Sequence, residues 1–255
     1  MGKWDPYSRR ELRKRRARWL RRNAMSVSLV VLAIVVAGTV ATWSFSTALS
    51  GAAQWYVIGV MHAGLVVGML HLLNSVFLAS DREAIWHVRG AWGEDNTRSS
   101  LARAKRRRLI WDWVDSISFQ AGDLDHLVVT RKGGLVAIDS KWRNEIKRAD
   151  TAAMAQSALK AQRRAEALAR TLLAKERGTH RARVQSLTVT PVVVVWGAAQ
   201  SSVPKEAMVD GVRFLAGREL VPWLRTLDGD MVPKDAAKDV LERFKTYRAK
   251  AWQDG

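Results

Sequence analysis

The chain has 255 residues, enough for one large domain or two smaller ones. Its 42 lysines and arginines outnumber 24 aspartates and glutamates, and the net charge of +18 points to polyanionic partners, either nucleic acid or an anionic lipid surface. The absence of cysteine excludes disulfides, thiolate zinc sites and a cysteine nucleophile.

The charge is segregated along the chain. Residues 1–22 hold ten basic and two acidic side chains, and residues 23–80 hold none of either sign. Within 23–80, Met25 to Phe45 and Trp55 to Phe77 each exceed the roughly 20 residues that cross a bilayer as a helix. A polar-leaning break, "STALSGAAQ" at 46–54, separates them, and Trp43, Trp55 and Tyr56 flank it as aromatic residues flank a headgroup region. The arginine-rich segment 9–22 precedes the first span and "RAKRRR" at 103–108 follows the second, while the loop between the spans has no Lys or Arg. These flanks predict a multi-pass cell-membrane protein with its N-terminus and C-terminal domain in the cytoplasm. The basic segment 1–22 is read as contacting lipid and setting topology. Two histidines, His62 and His71, lie half a turn out of phase and are expected to pack or to bond between helices. Gly64 and Gly68 form a GxxxG spacing that hints at association with a second copy.

Residues 81–110 read as a helix ending near Arg108, and 111–119 alternates as a strand does. "LDHLVVT" and "LVAIDSKW" are two further strands joined through "RKGG" as a hairpin. A helix opens at Asp150-Thr151 and stops at Gly178, with Met154, Ala158, Ala161, Ala165, Leu168 and Leu172 forming one apolar stripe. The run "LTVTPVVVVWG" at 187–197 reads as a strand buried on both faces, 211–217 as a short strand, and Lys234 to Trp252 as an amphipathic helix. The expected order is α-β-β-β-α-β-β-α-α, a mixed sheet flanked by helices. Four segments result: a basic N-terminal piece (1–22), an apolar helical hairpin (23–80), a soluble domain (81–233) and a C-terminal helix (234–255).

Asp139 and Lys141 lie two apart on one strand and therefore share a face, with Ser140 on the other. Asp125 begins the partner strand. Two carboxylates beside an ammonium suit metal-assisted phosphodiester cleavage, because carboxylate oxygens hold Mg²⁺ and the lysine orients water or steadies negative charge. An even hairpin loop would put Asp125 on the wrong side of the sheet. A three-residue loop, such as Lys132-Gly133-Gly134, would place Asp125 opposite Lys141 and unite the three. Asp123 is read as a turn residue and His126 as a structural hydrogen-bonder on the opposite face.

Asp125 followed by Asp139-Ser140-Lys141 resembles the PD-(D/E)XK nuclease motif. The ordered set of Gly93-Glu94 before a helix, "DLDHLVV", "GGLVAIDSKW" and a helix with Gln156 resembles the nuclease-related (NERD) domain over roughly residues 90–220. That resemblance implies a restriction-endonuclease-like α/β fold and a nuclease dependent on Mg²⁺ or Mn²⁺. It implies Asp125 and Asp139 as metal ligands, Lys141 as the catalytic lysine, Glu94 as an accessory carboxylate able to reach the metal, and Gln156 as an accessory polar group. Asp139 stands where the family more often has glutamate. Arg143, Lys147, Arg148, Lys160, Arg163 and Arg164, with Lys141, are candidate contacts for a nucleic-acid backbone, with DNA as the expected substrate, although the same charges also suit anionic lipid. The other function class open at this point is a catalytically silent module that tethers nucleic acid or a partner protein to the membrane.

Overall fold

The computed structural model describes residues 7–119, 122–174, 189–204, 207–229 and 231–251. The chain divides into two units, Ser8–Val88 and a second that takes in Arg89 onward.

The first unit is helical. Helices α2 (Ala24–Ala48) and α3 (Gly51–Ser80) are long and apolar enough to cross a membrane, and almost none of their apolar side chains is buried. The polar-leaning break is narrower than its composition predicts: the helices run through most of it and part only at Leu49 and Ser50. The reason is local. Thr39, Thr42, Ser44, Ser46 and Thr47 donate their hydroxyls back to carbonyls three or four residues earlier, so these polar side chains are satisfied without leaving the helix. His62 does bond between helices, with Nε2 3.2 Å from Thr42 Oγ1. The GxxxG glycines take no part in the α2–α3 contact, since a Cβ at Gly64 or Gly68 would meet no atom within 4 Å. The basic segment is itself a helix, α1 (Tyr7–Arg22). Arg15 on α1 pairs with Asp81 at 3.3 Å and with Glu83, and Trp19 packs edge-on against Phe77.

The second unit is built on six strands in the order β1-β2-β3-β4-β6-β5. Strands β1 (Ile110–Phe119), β2 (Gly122–Thr130) and β3 (Leu135–Trp142) form an antiparallel meander. Helix α5 (Arg148–Ala174) then returns the chain to β4 (Val189–Trp196), parallel to β3, and β6 (Val212–Ala216) lies parallel to β4. The two-residue strand β5 (Met208–Val209) at the edge is an element the sequence pattern did not reveal. Helices α4 (Arg82–Arg106), α6 (Leu220–Thr226) and α7 (Lys234–Ala251) complete the chain. This is the mixed α/β sheet flanked by helices expected of a restriction-endonuclease-like domain. The expected end of α5 at Gly178 falls outside the described residues.

The core follows from the side-chain periods. Val192, Val193, Val194 and Val195 are all fully buried, because β4 is covered on both faces. Val192 and Val194 pack with Leu101 of α4 and Leu220 of α6, whereas Val193 and Val195 pack with Met154 and Ala158 of α5. The α5 stripe continues through Ala161, Ala165 and Leu168 to meet β1, β2 and Phe244 of α7.

Two glycines permit the tight packing after β4. Gly197 adopts φ 81, and a Cβ there would lie 2.5 Å from the Arg143 carbonyl oxygen. A Cβ at Gly217 would overlap the Trp196 ring. Gly217→Ala should therefore lower stability by about 1–3 kcal/mol through overpacking, measured by thermal unfolding of the full chain in detergent micelles. An unchanged midpoint would show that the Trp196 ring can move aside.

Candidate active site

The β2–β3 turn decides which side chains meet. Thr130 N donates to Gly134 O at 3.1 Å, and its hydroxyl donates to the Lys132 and Gly134 carbonyls. The closing pair thus encloses Arg131, Lys132 and Gly133, with Gly133 at φ 89 and Gly134 at φ 78. The loop is odd, as the sequence required, but the register differs from the expected one by two residues. The paired positions Val129–Leu135, Val128–Val136, Leu127–Ala137 and His126–Ile138 extend to place Asp125 across from Asp139 rather than from Lys141. Closure one residue earlier, around Gly133 and not Gly134, accounts for the shift.

Three residues of the motif are brought together. Asp125 Oδ2 accepts the Ser140 backbone N–H at 2.7 Å, which ties the start of β2 to β3 between Asp139 and Lys141. Lys141 Nζ stands 2.6 Å from Asp139 Oδ1. The other Asp139 oxygen, Oδ2, is buried and has no hydrogen-bond partner among the described residues. Glu94 is buried on α4 and lies near enough to act on the charge of Asp125. Helix α4 packs close to this strand at Gly93, where a Cβ would sit in ordinary contact, 3.5 Å from Trp142 N and 3.8 Å from the Lys141 carbonyl carbon. The helix thus rests on the backbone that carries the lysine.

The electrostatics are those of crowded carboxylates. Burial, with Asp139 and Glu94 adding repulsion, pushes Asp125 up to about 8, against the opposing pull of Lys141 and His126. Burial pulls the Lys141 ammonium down, but the attraction of Asp139 and Asp125 outweighs it and holds the group above the ordinary lysine value. Lys141 therefore stays protonated at neutral pH, a positive charge beside Asp139.

Beneath this cluster lies a layer of polar contacts. His126 is fully buried, as a structural residue should be, with Nδ1 2.7 Å from Asp115 Oδ1. Asp115 also meets Arg98 Nε at 3.5 Å. Ser140 Oγ donates to Thr97 Oγ1, which also accepts the Trp196 indole N–H, both at 2.8 Å. Sequence reasoning passed over Thr97, Arg98 and Asp115. Thr97 carried a usable signal, because it follows Glu94 by three residues on one helix and so shares its face. Asp125 itself sits at an irregularity. Leu124 and Leu127 pack in one cluster, as do Val114 and Ile117, although a regular strand sends residues three apart to opposite faces. Ser116, at φ 50 on β1, marks the switch.

The other candidates are placed apart. Gln156 is exposed on α5 and joins none of these contacts. Arg143 is partly buried, donates to the Trp142 carbonyl at 3.0 Å and lies close enough to act on the charge of Lys141. Lys147 is exposed just before α5, and the side chain of Arg148 lies outside the described residues. Lys160 and Arg163 are exposed, and Arg164 is partly exposed. Lys160 is twelve residues beyond the start of α5 at Arg148, about 18 Å along the helix. That distance separates Lys160 and the cations beyond it from the start of the helix beside Lys147.

Residues 89–196 match the family model of the nuclease-related domain, NERD. This part of the chain is a nuclease-related domain. The match opens five residues before Glu94 and closes on Trp196, so the NERD segment spans α4 from Arg89, the meander, α5 and β4, and includes every candidate site residue. No curated protein and no solved structure matched the chain.

The donor set of the NERD domain suits a hard divalent cation. Among the described residues no group of three or more His, Asp or Glu side chains could hold a metal ion by itself. Mg²⁺ does not require one, since it is commonly bound through one or two carboxylates, waters and substrate phosphates. The unpartnered Asp139 Oδ2 is an oxygen available for that purpose.

The raised Asp125 makes a prediction about stability. Asp125 keeps its proton in the folded chain to about pH 8, whereas an unfolded aspartate releases it near pH 4. Its contribution is therefore fully present below about pH 4 and is lost as pH rises through 8. In metal-free buffer Asp125→Asn should exceed the natural chain in stability at pH 8 by several kcal/mol, with the gain vanishing near pH 4. Thermal unfolding of the full chain with EDTA at both pH values measures it, and equal midpoints at pH 8 would contradict it.

Proposed function

We propose that the chain is a membrane-anchored nuclease that hydrolyses phosphodiester bonds in DNA with Mg²⁺ or Mn²⁺. One observation carries the reading: Asp125, Asp139 and Lys141 share a single cluster in which one buried carboxylate oxygen is left without a partner. When bound, the metal supplies Lewis acidity toward the phosphate and the attacking water. Asp139 offers the free Oδ2, and Asp125, once deprotonated, offers a second carboxylate. Glu94 adds negative charge that favours a cation. Lys141 presents a fixed positive charge to the phosphate as negative charge develops on it. Arg143 and Lys147 stand nearest to guide the backbone in. Arg148, Lys160, Arg163 and Arg164 lie on α5 and would meet the nucleic-acid backbone farther from the cluster.

The membrane part of the proposal rests on the two long apolar helices and their charged flanks. Helices α2 and α3 span the cell membrane, both termini are cytoplasmic, and α1 with its arginines lies against anionic lipid. Gly64 and Gly68, open on α3, leave room for a second copy. The net charge of +18 equally suits a second reading, in which the domain binds nucleic acid or a partner without cutting.

The test uses the full chain in nanodiscs with plasmid, linear duplex, single-stranded DNA and RNA. Cleavage should require Mg²⁺ or Mn²⁺, and Asp139→Ala and Lys141→Ala should each slow it by at least about 10²–10³-fold. Salt-sensitive binding with no cleavage, equal in both variants, would replace the nuclease with the tether.

A further inference from the structure

Among the described residues of the second unit, Trp92 is the one exposed Phe, Tyr or Trp side chain, with 51% of its surface open. Leaving a large aromatic residue in water forgoes roughly 1.5–3 kcal/mol of burial, so the fold itself gains little from its position. Its surroundings are ordered. The Trp142 ring meets it edge to face at 5.4 Å and 63°. Trp142 is in turn held against Gly197, where a Cβ would lie 3.0 Å from its indole nitrogen. Trp92 also adjoins the candidate chemistry through the chain. Gly93 rests on the backbone joining Lys141 to Trp142, and Glu94, the next residue, is buried toward Asp125. Two cations are close along the chain: Arg89 is exposed one turn earlier on α4, and Arg143 follows Trp142.

We infer that Trp92, backed by Trp142, is a stacking platform for an unpaired base, and that the site accepts single-stranded rather than fully duplex nucleic acid. This rests on the proposed nucleic-acid chemistry of the cluster. A tryptophan face bordered by cations is the combination that holds single strands, with the cations tracking phosphates and the ring stacking on any base. In a duplex the base faces are already covered by their neighbours, so the ring has nothing to stack on unless a pair opens. The three consecutive residues then divide the work. Trp92 receives the base, Gly93 seats the helix on the lysine strand, and Glu94 enters the carboxylate cluster.

Binding without cleavage tests this directly. Full chain in zwitterionic nanodiscs with EDTA is titrated, by fluorescence anisotropy, into labelled oligothymidylate and into a hairpin duplex of equal length. Trp92→Ala should weaken oligothymidylate binding by about 5- to 100-fold, change duplex binding less than about twofold, and be largely restored by Trp92→Phe. Equal loss on both ligands overturns the inference. Unchanged affinity for both also overturns it and leaves Trp92 to the lipid headgroup layer. The two proposals fail separately. Trp92-dependent strand binding in a chain that never cleaves removes the nuclease and keeps the platform. Cleavage that needs Asp139 and Lys141 but ignores Trp92 does the reverse.

Discussion

The candidate site depends on where one hairpin closes. Thr130 pairs with Gly134 around three residues, and every position from Val129–Leu135 to His126–Ile138 follows from that closure. A strand's side chains alternate, so moving the closure by one residue would carry Asp125 away from Asp139. Gly133 and Gly134 make the closure possible, because both adopt positive φ that other residues rarely accept. The Ser140 N–H to Asp125 Oδ2 bond then fastens the open end of the hairpin at the site itself.

What the hairpin assembles is electrostatically unfavourable by itself. Two aspartates and a buried glutamate crowd one end of a sheet, and the folded chain answers with a proton held on Asp125 and an ammonium held on Asp139. Both are things a divalent cation displaces or complements. The layer below is joined instead by neutral bonds from Thr97 and by the Asp115–His126 pair, with His126 Nε2 buried and unpartnered among the described residues. Rigid support under a strained, charge-rich surface is a common trade of stability for function.

Much of this was legible in the sequence, for physical reasons. The charge-free run 23–80, the valine run of β4 and the α5 stripe are periodic signals with one outcome each. The motif residues Asp125, Asp139 and Lys141 could be placed in one cluster because strand parity permits only an odd loop. The two-residue error in register arose because either glycine of Gly133-Gly134 can serve as the loop's last residue. The edge strand β5 is too short to show a period, and helix α1 was hidden by its charge, which suggested a lipid contact before a conformation. Thr97 and Asp115 were missed because their roles come from contacts across the fold, to Ser140 and Trp196 in one case and to His126 and Arg98 in the other. Gln156 shows the converse limit, since position on a helix that follows the motif says nothing about which way the side chain faces.

The central claim is that Asp125 and Asp139 form one cation-binding unit whose proton is exchanged for metal. The most direct measurement is Mn²⁺ binding to the full chain by electron paramagnetic resonance between pH 6 and 8, with proton release followed in parallel. The account predicts affinity that tightens about tenfold per pH unit below 8 with about one proton released per ion, and loss of the bound signal in Asp139→Ala. Binding indifferent to pH, or retained when Asp139 is removed, would contradict it.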